Sequence, residues 1–356
     1  MNFPHLESAE RTDTGRRRHN NEDAVLRLPE HGLFCVADGM GGAAAGELAS
    51  HAVVNALRRG FQEVTPAAPP AYPGLDSRIG LASRLLDEAS RWIRERAEEM
   101  GVSGTGTTVV SLLFDAWQPG RGVCLHAGDS RAYLYREGRV KQLTRDHSVA
   151  AAAGISDEKS LPAFFRGVVT RAVGLDPHVD LEVTPFDVHP NDLYLLCSDG
   201  LTKMLSDADI AKMIKKQLAV AGLEGMTMRL VDAANEAGGE DNVSVILVQV
   251  GPALPAPHEG APESAGAAGP GNVPAAAAGA VPAAGPGEAL TPPTAHPPAA
   301  TDHGVLRGAT PVSAHGGGGE AATPVTADYQ LAGEQKENHG WLRLLGAIFG
   351  RKPSRR

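Results

Sequence analysis

The sequence predicts an α+β fold, a sandwich of largely antiparallel sheets, on two observations. Seven short runs rich in β-branched and apolar residues are too many for a helical bundle. These runs come in neighbouring pairs, and the helical segments come in pairs too, which does not fit an alternating βαβ repeat.

Taken in order, residues 24–28 and 33–37 read as adjacent strands. Residues 43–61 and 79–100 carry apolar side chains at helical spacing, with a Pro-rich loop over 61–76 between them. Strands follow at 107–114, 122–126 and 132–136, the last closed by a turn at Gly138, then at 193–197 and 243–250. Shorter helices are predicted after Ser206, where Ser206 and Asp209 form a capping signal, and over 225–237.

Composition changes after Gly251. From 252 to 300 roughly three-quarters of the residues are Ala, Pro or Gly, too little side chain to offset ordering entropy. The expected organisation is a folded domain over 1–251, a disordered linker over 252–339 and a basic amphipathic tip over 340–356.

The chain of 356 residues is 42% hydrophobic and 21% charged, which excludes wholesale disorder, and its net charge of -9 argues against nucleic acid as a partner. The first ten residues lack a basic and apolar leader, and no stretch approaches the ~20 apolar residues that span a bilayer. A cytoplasmic location is expected. Cys35, Cys124 and Cys197 lie far apart inside apolar runs and read as reduced core residues.

The chemistry is carried by aspartates at strand ends. Asp38-Gly39 follows the run at 33–37, Asp199-Gly200 follows the run ending at Ser198, Glu240-Asp241-Asn242 opens the last strand, and Gly128-Asp129-Ser130-Arg131 follows His126. A single Asp-Gly is commonly a turn, but four carboxylates at one rim repel one another, and a divalent cation is the ordinary remedy. All the candidate donors are oxygens, which favours Mg²⁺ or Mn²⁺ over zinc. Two such ions about 3.5–4 Å apart can activate a water and clamp a phosphoryl group, so hydrolytic phosphate chemistry is expected.

Eight motifs then stand in order: Asp13-x-Gly15-x-x-Arg18-x-x-Asn21-Glu22-Asp23, Ala37-Asp38-Gly39-Met40-Gly41-Gly42, Gly106-Thr107-Thr108, Gly128-Asp129-Ser130-Arg131, Thr144-x-Asp146-His147-Ser148, Thr170-Arg171-x-x-Gly174, Ser198-Asp199-Gly200-Leu201 and Asp241-Asn242. Across residues 9–250 this series resembles the bacterial form of the metal-dependent protein phosphatase 2C (PPM) family. The resemblance implies two antiparallel sheets flanked by helix pairs, a centre of two Mn²⁺ or Mg²⁺ ions at one end of the sandwich, and hydrolysis of phosphoserine and phosphothreonine in proteins by a metal-activated water.

It also implies roles. Asp38 would bridge both ions with the Gly39 carbonyl on one of them; Asp199 and Asp241 would hold the other. Glu22 would hold water and orient the nucleophile, with Asn242 supporting beside Asp241, and Arg18 would bind the phosphate with its planar fork. Asp129 with Asp199 would hold a third, weaker ion; the alternative is a turn aspartate neutralised by Arg131. Met40 stands where eukaryotic members carry a His acid, so the leaving-group acid is unassigned, metal-bound or bulk water being its expected source. His147 and Ser148 precede an Ala-rich segment and read as a helix cap by Ser148 or Asp146. Residues 154–166 correspond to the family's variable flap, where Phe164, Phe165 and Arg166 either meet substrate or pack inward.

In the tail, residues 309–314 and 322–327 are near-identical peptides, and Thr310 and Thr323 are candidate phosphorylation sites. Trp341, Leu344, Leu345 and Ile348 share one helical face, followed by a basic cluster ending at Arg356, which suits peripheral attachment to the inner membrane face or a partner groove. The partners expected are phosphorylated proteins and a Ser/Thr kinase counterpart, with the enzyme a monomer. Two alternatives are a pseudophosphatase or scaffold acting through its tail, against which Arg18, Asp38, Asp199 and Asp241 speak, and a phosphatase of an anti-sigma-factor antagonist.

Overall fold

The computed structural model describes residues 3, 5–63, 74–155 and 160–257. The expected linker from 258, the repeated peptides, the basic tip and most of the Pro-rich loop lie outside the described residues. In chain order the elements are β1 (Leu6–Asp13), β2 (Asp23–Leu28), β3 (Leu33–Met40), α1 (Ala43–Glu63), α2 (Leu75–Met100), β4 (Gly106–Thr107), β5 (Val109–Phe114), β6 (Arg121–Ala127), β7 (Arg131–Arg136), β8 (Arg139–Gln142), α3 (Val149–Ala153), β9 (Glu182–Asp187), β10 (Leu193–Cys197), α4 (Asp199–Thr202), α5 (Asp207–Glu236) and β11 (Val243–Val250).

They form two antiparallel sheets. One runs β1-β11-β10-β7-β8; the other runs β2-β3-β5-β6-β9, with the short β4 beside β3. The central strands are apolar on both faces because both faces are covered. Along β3, Phe34 and Val36 point between the sheets to meet Tyr194, Leu196, Ile246 and Val248. Leu33, Cys35 and Ala37 point the other way, onto Val53, Leu57, Leu86 and Ile93 of α1 and α2. On the opposite side Leu193, Leu195 and Leu247 pack on Ile210, Ile214, Leu230 and Val231 of α5. The result is four layers, helix pair, sheet, sheet, helix pair, as the sequence predicts. All three cysteines are free and buried.

Several elements depart from the sequence expectation. β1, β8 and β9 were not foreseen: each is a sheet edge, where one side of the strand faces solvent and the residues are largely polar. Pro185 inside β9 is tolerated for the same reason. The strand expected over 107–114 is two, broken at Thr108. The two helices expected between Ser206 and 237 run together as α5, bent at Gly222, whose φ of 66° and ψ of -175° are non-helical. Ser206 caps α5 by accepting from the Asp209 N–H (3.2 Å), and Ser148 caps α3 from Ala151 (3.2 Å). Among the described residues no helix is long and apolar enough to cross a membrane.

α2 starts at Leu75, a turn earlier than the apolar spacing suggests, and the extra turn carries Arg78, only 2% exposed. Its Nη1 donates to Phe114 O (2.7 Å) and its Nη2 to His31 O, with the guanidinium 5.5 Å and 5.8 Å from the Phe3 and Phe61 ring centroids. Arg78→Met leaves two buried carbonyls without that donor. At about 1–3 kcal/mol for each such group, urea unfolding should show a loss of roughly 2–6 kcal/mol.

His31 is buried, and that burial pushes its imidazole below the ordinary 6.5. Below pH 6.5 the unfolded chain takes up the proton first, so the His31 contribution is intact above that pH and declines beneath it. The urea midpoint of the wild type relative to His31→Gln should therefore fall between pH 7.5 and about pH 5.5; a constant difference would show that His31 protonates equally in both states.

Candidate active site

Five carboxylates meet at one end of the sandwich, supplied by both sheets. Asp38 does not end its strand as the Asp-Gly turn signal suggests. β3 continues through it to Met40, with Asp38 opposite Asp23 on β2, and Gly39 and Met40 opposite Thr107 and Gly106 on β4. The break at Thr108 serves this residue: Thr108 N and Thr107 Oγ1 both donate to Asp38 O (2.9 Å each), and Thr108 Oγ1 accepts from Asp38 N (3.0 Å). Asp129 sits in the turn after β6, Asp199 opens α4 after β10, and Asp241 precedes β11.

Their electrostatics record the crowding. Burial, and then the charges of Asp23, Asp199, Asp129 and Asp241, hold the Asp38 carboxyl well above the ordinary carboxylate range. Burial raises Asp23 to about 7 with Asp199 and Asp241 adding to it, and burial with Asp199 does the same for Asp129, also to about 7. Asp199 is raised by burial first, against the pull of Lys203.

Asp23 was not singled out from the sequence. It is buried, accepts from Ser198 Oγ (2.8 Å) through Oδ2, and its Oδ1 has no hydrogen-bond partner. The signal that could have found it is register, since a tight β2–β3 hairpin puts it directly across from Asp38.

Asn242 ties the loop over 14–22 to β11. Its Nδ2 donates to Thr14 O and Asn20 O (2.9 Å each), while its Oδ1 accepts from Glu22 N (2.8 Å). One buried amide thus places both residues expected from that loop, Arg18 and Glu22. Arg18 Nη2 donates to Asp241 Oδ2 (2.9 Å). The Glu22 carboxyl is buried over α1, and burial raises it. Room for it exists because Gly46 lacks a side chain: a Cβ there would collide with Glu22 Oε2, and one on Gly39 would collide with Gly46 O. The helix therefore lies directly on the Asp38-Gly39 backbone, a contact the helical spacing of 43–61 did not reveal.

Other predicted residues divide. Arg131 is not the partner of Asp129; its guanidinium makes a two-pronged pair with Asp146 (Nε 2.9 Å to Oδ1, Nη2 2.7 Å to Oδ2). Phe165 packs inward with Ala150 and Leu161, whereas Phe164 is 72% exposed. Arg166 Nε donates to Leu161 O (2.9 Å). His147 does more than precede a cap: its Nδ1 accepts from Gly128 N (3.3 Å) and its Nε2 meets Glu182 Oε2 (3.1 Å). His126, His147 and Glu182 form a group of metal-binding types, but the two imidazoles stack at 4.4 Å and 10°. Through the Gly128 N–H that His147 accepts, the stacked pair also braces the turn that carries Asp129.

The fold and this acidic end define a class, and comparison with known proteins agrees. Residues 13–234 match the family model described as protein phosphatase 2C. The serine/threonine phosphatase Stp of Listeria innocua is 32% identical over 247 residues, covering 67% of this chain and 94% of that protein. The serine/threonine protein phosphatase PstP of Mycobacterium tuberculosis is 33% identical over 249 residues, 69% of this chain and 45% of the relative. Among solved structures, PppA of Pseudomonas aeruginosa superposes with a TM-score of 0.61 at 33% identity, covering 70% of this chain and 99% of the other. The catalytic domain of PstP in complex with two manganese ions superposes at 0.58 with 32% identity, covering 69% and 98%. The chain belongs to the protein phosphatase 2C family. It is a protein serine/threonine phosphatase.

Gly46→Ala drives its methyl group against the Glu22 carboxylate and pushes α1 away from the Gly39 backbone. The expected result is a folded protein whose kcat/KM on a phosphothreonine peptide falls about a hundredfold, the cost of an ångström-scale misplacement. Unchanged kinetics would show that Glu22 relocates without consequence.

Proposed function

We propose that the enzyme removes phosphate from phosphoserine and phosphothreonine in proteins at a pair of Mn²⁺ or Mg²⁺ ions held by the acidic end of the sandwich. In this reading Asp38 and the Gly39 carbonyl would hold one ion, and Asp38, Asp199 and Asp241 would hold the other. The observation that carries it is the gathering of charge: five carboxylates meet where, among the described residues, Arg18 and Lys203 are the cations paired with them. The donor set suits hard divalent cations, being oxygen throughout, and Asp199 Oδ1 is buried with no hydrogen-bond partner. When bound, such an ion pair lowers the pKa of water and neutralises charge on the phosphoryl oxygens.

The chain's own residues supply the rest. Arg18 has five N–H donors and spends one on Asp241, which leaves its fork free to hold phosphate oxygens. Glu22, its backbone fixed by Asn242, orients the attacking water by accepting from it. Met40 has no proton to give, so the leaving alkoxide takes its proton from water. Phe164, exposed on the flap, offers a face to the substrate chain. The catalytic unit is assigned to residues 1–251, supported by the hydrogen bond from Gly251 N to His5 O (2.7 Å), which closes the last strand on the first. A Ser/Thr kinase is the expected counterpart, and a monomer the expected form.

The test is phosphate release from a phosphothreonine peptide by the full chain, with Mn²⁺ and then with excess chelator. Turnover should require the metal, and Asp38→Ala or Asp199→Ala should reduce it at least about a thousandfold, the equivalent of several kcal/mol of lost stabilisation. Turnover that survives chelation, or a variant near the wild-type rate, would overturn the assignment.

A further inference from the structure

The cations paired with the acidic end are not spread evenly over it. Lys203 immediately follows α4, the short helix that Asp199 opens, so a single turn lays its ammonium on Asp199 Oδ2. The same Nζ lies 3.6 Å from Asp241 Oδ2, the oxygen that also accepts from Arg18 Nη2 (2.9 Å). The other Asp241 oxygen, Oδ1, accepts from Asn242 N (2.9 Å). A metal ion drawing on Asp241 therefore shares each oxygen with a donor already in place, and at Oδ2 with two positive charges. Asp199 Oδ1, buried and without a hydrogen-bond partner, is the open oxygen of this pair of carboxylates. Asp38 stands differently: among the described residues no Lys, Arg or His is ion-paired with it.

We infer that Lys203 is a tethered competitor for the second ion, so that the two metals bind in separate steps: the ion at Asp38 and Gly39 first, the ion at Asp199 and Asp241 only at higher free metal. The inference rests on the two-ion reading above and refines it. An ammonium on these carboxylates offsets the charge that draws the second ion in, and where it stays it repels the ion that arrives. Both effects fall most heavily on the site that Lys203 touches. The Lys203 side chain is 37% exposed, which gives a displaced ammonium a path into water. The enzyme is thereby graded by free metal over the range in which its second site fills.

Equilibrium dialysis of the full chain against rising Mn²⁺, with bound metal counted by elemental analysis, tests this. The wild type should fill in two resolved steps, and Asp241→Asn should abolish the weaker one, which identifies it. Lys203→Met and Lys203→Gln keep a long side chain without its charge. Both should tighten the weaker step at least about tenfold, the lower end of the range by which one neighbouring charge alters a carboxylate's affinity for a proton. Lys203→Arg, its charge retained, should stay near the wild type. An unchanged weaker step in both neutral variants, an equal gain in Lys203→Arg, or a gain confined to the tighter step would overturn the role of Lys203 and leave the two-ion reading standing. So would a wild type that takes both ions in one step, or an Asp241→Asn variant that loses the tighter step instead. No Mn²⁺ uptake by any form would overturn both.

Discussion

Everything at the functional end of this molecule depends on mutual repulsion between carboxylates. Asp23 and Asp38 come from one sheet, Asp199 and Asp241 from the other, and Asp129 from a turn between the two. No single strand could place them together, and nothing in their own chemistry favours the meeting, since each raises the proton affinity of the next. The meeting is imposed by apolar packing elsewhere. Three apolar layers, one between the sheets and one under each helix pair, fix the strand ends independently of what those ends carry. The energy that forces the charges together is thus supplied far from them.

The packing around the site is correspondingly tight. Asn242 satisfies Thr14, Asn20 and Glu22 at once, so the loop over 14–22 has its position defined from β11 rather than from its own sequence. Gly39 and Gly46 let backbone approach backbone where any larger residue would separate α1 from Asp38. The stacked pair His126 and His147 holds the turn before Asp129, and the Arg131–Asp146 pair holds the turn's other side. These are polar and steric fastenings placed around the charged cluster, while the hydrophobic layers stop short of it.

The legible parts of the sequence are those with a strong local signal. Central strands such as 193–197 and 243–250 announce themselves because both faces are buried, and the aspartates next to Gly or Asn are recognisable in a row. The edge strands β1, β8 and β9 give no comparable signal: β1 reads LESAERTD, and only its Leu6 and Ala9 are buried. The Asp-Gly pair marks the strand as ending at Ala37, yet cross-strand pairing with Asp23 keeps Asp38 extended. Arg78 is hidden from periodicity arguments, since a buried arginine occupies the position an apolar residue would mark. Lys203 looks like an ordinary exposed helix residue until Asp199 is known to be folded back against it. In each case the missing information is a contact between residues distant in sequence, or a local geometry that only tertiary packing selects.

The pairing of β1 with β11 has a consequence for the birth of the molecule. β11 lies between β1 and β10, so the sheet it belongs to stays divided until residues 243–250 have been made. Asp241 and Asn242, which complete the acidic end and anchor the loop carrying Arg18, arrive with that strand. A growing chain therefore holds the first carboxylates from residue 23 onward but cannot assemble them into a working centre until the domain's last strand has left the ribosome. The residues that follow position 251 in the 356-residue chain are then the ones still being synthesised while the centre closes. The acidic end is therefore complete only when the domain is complete.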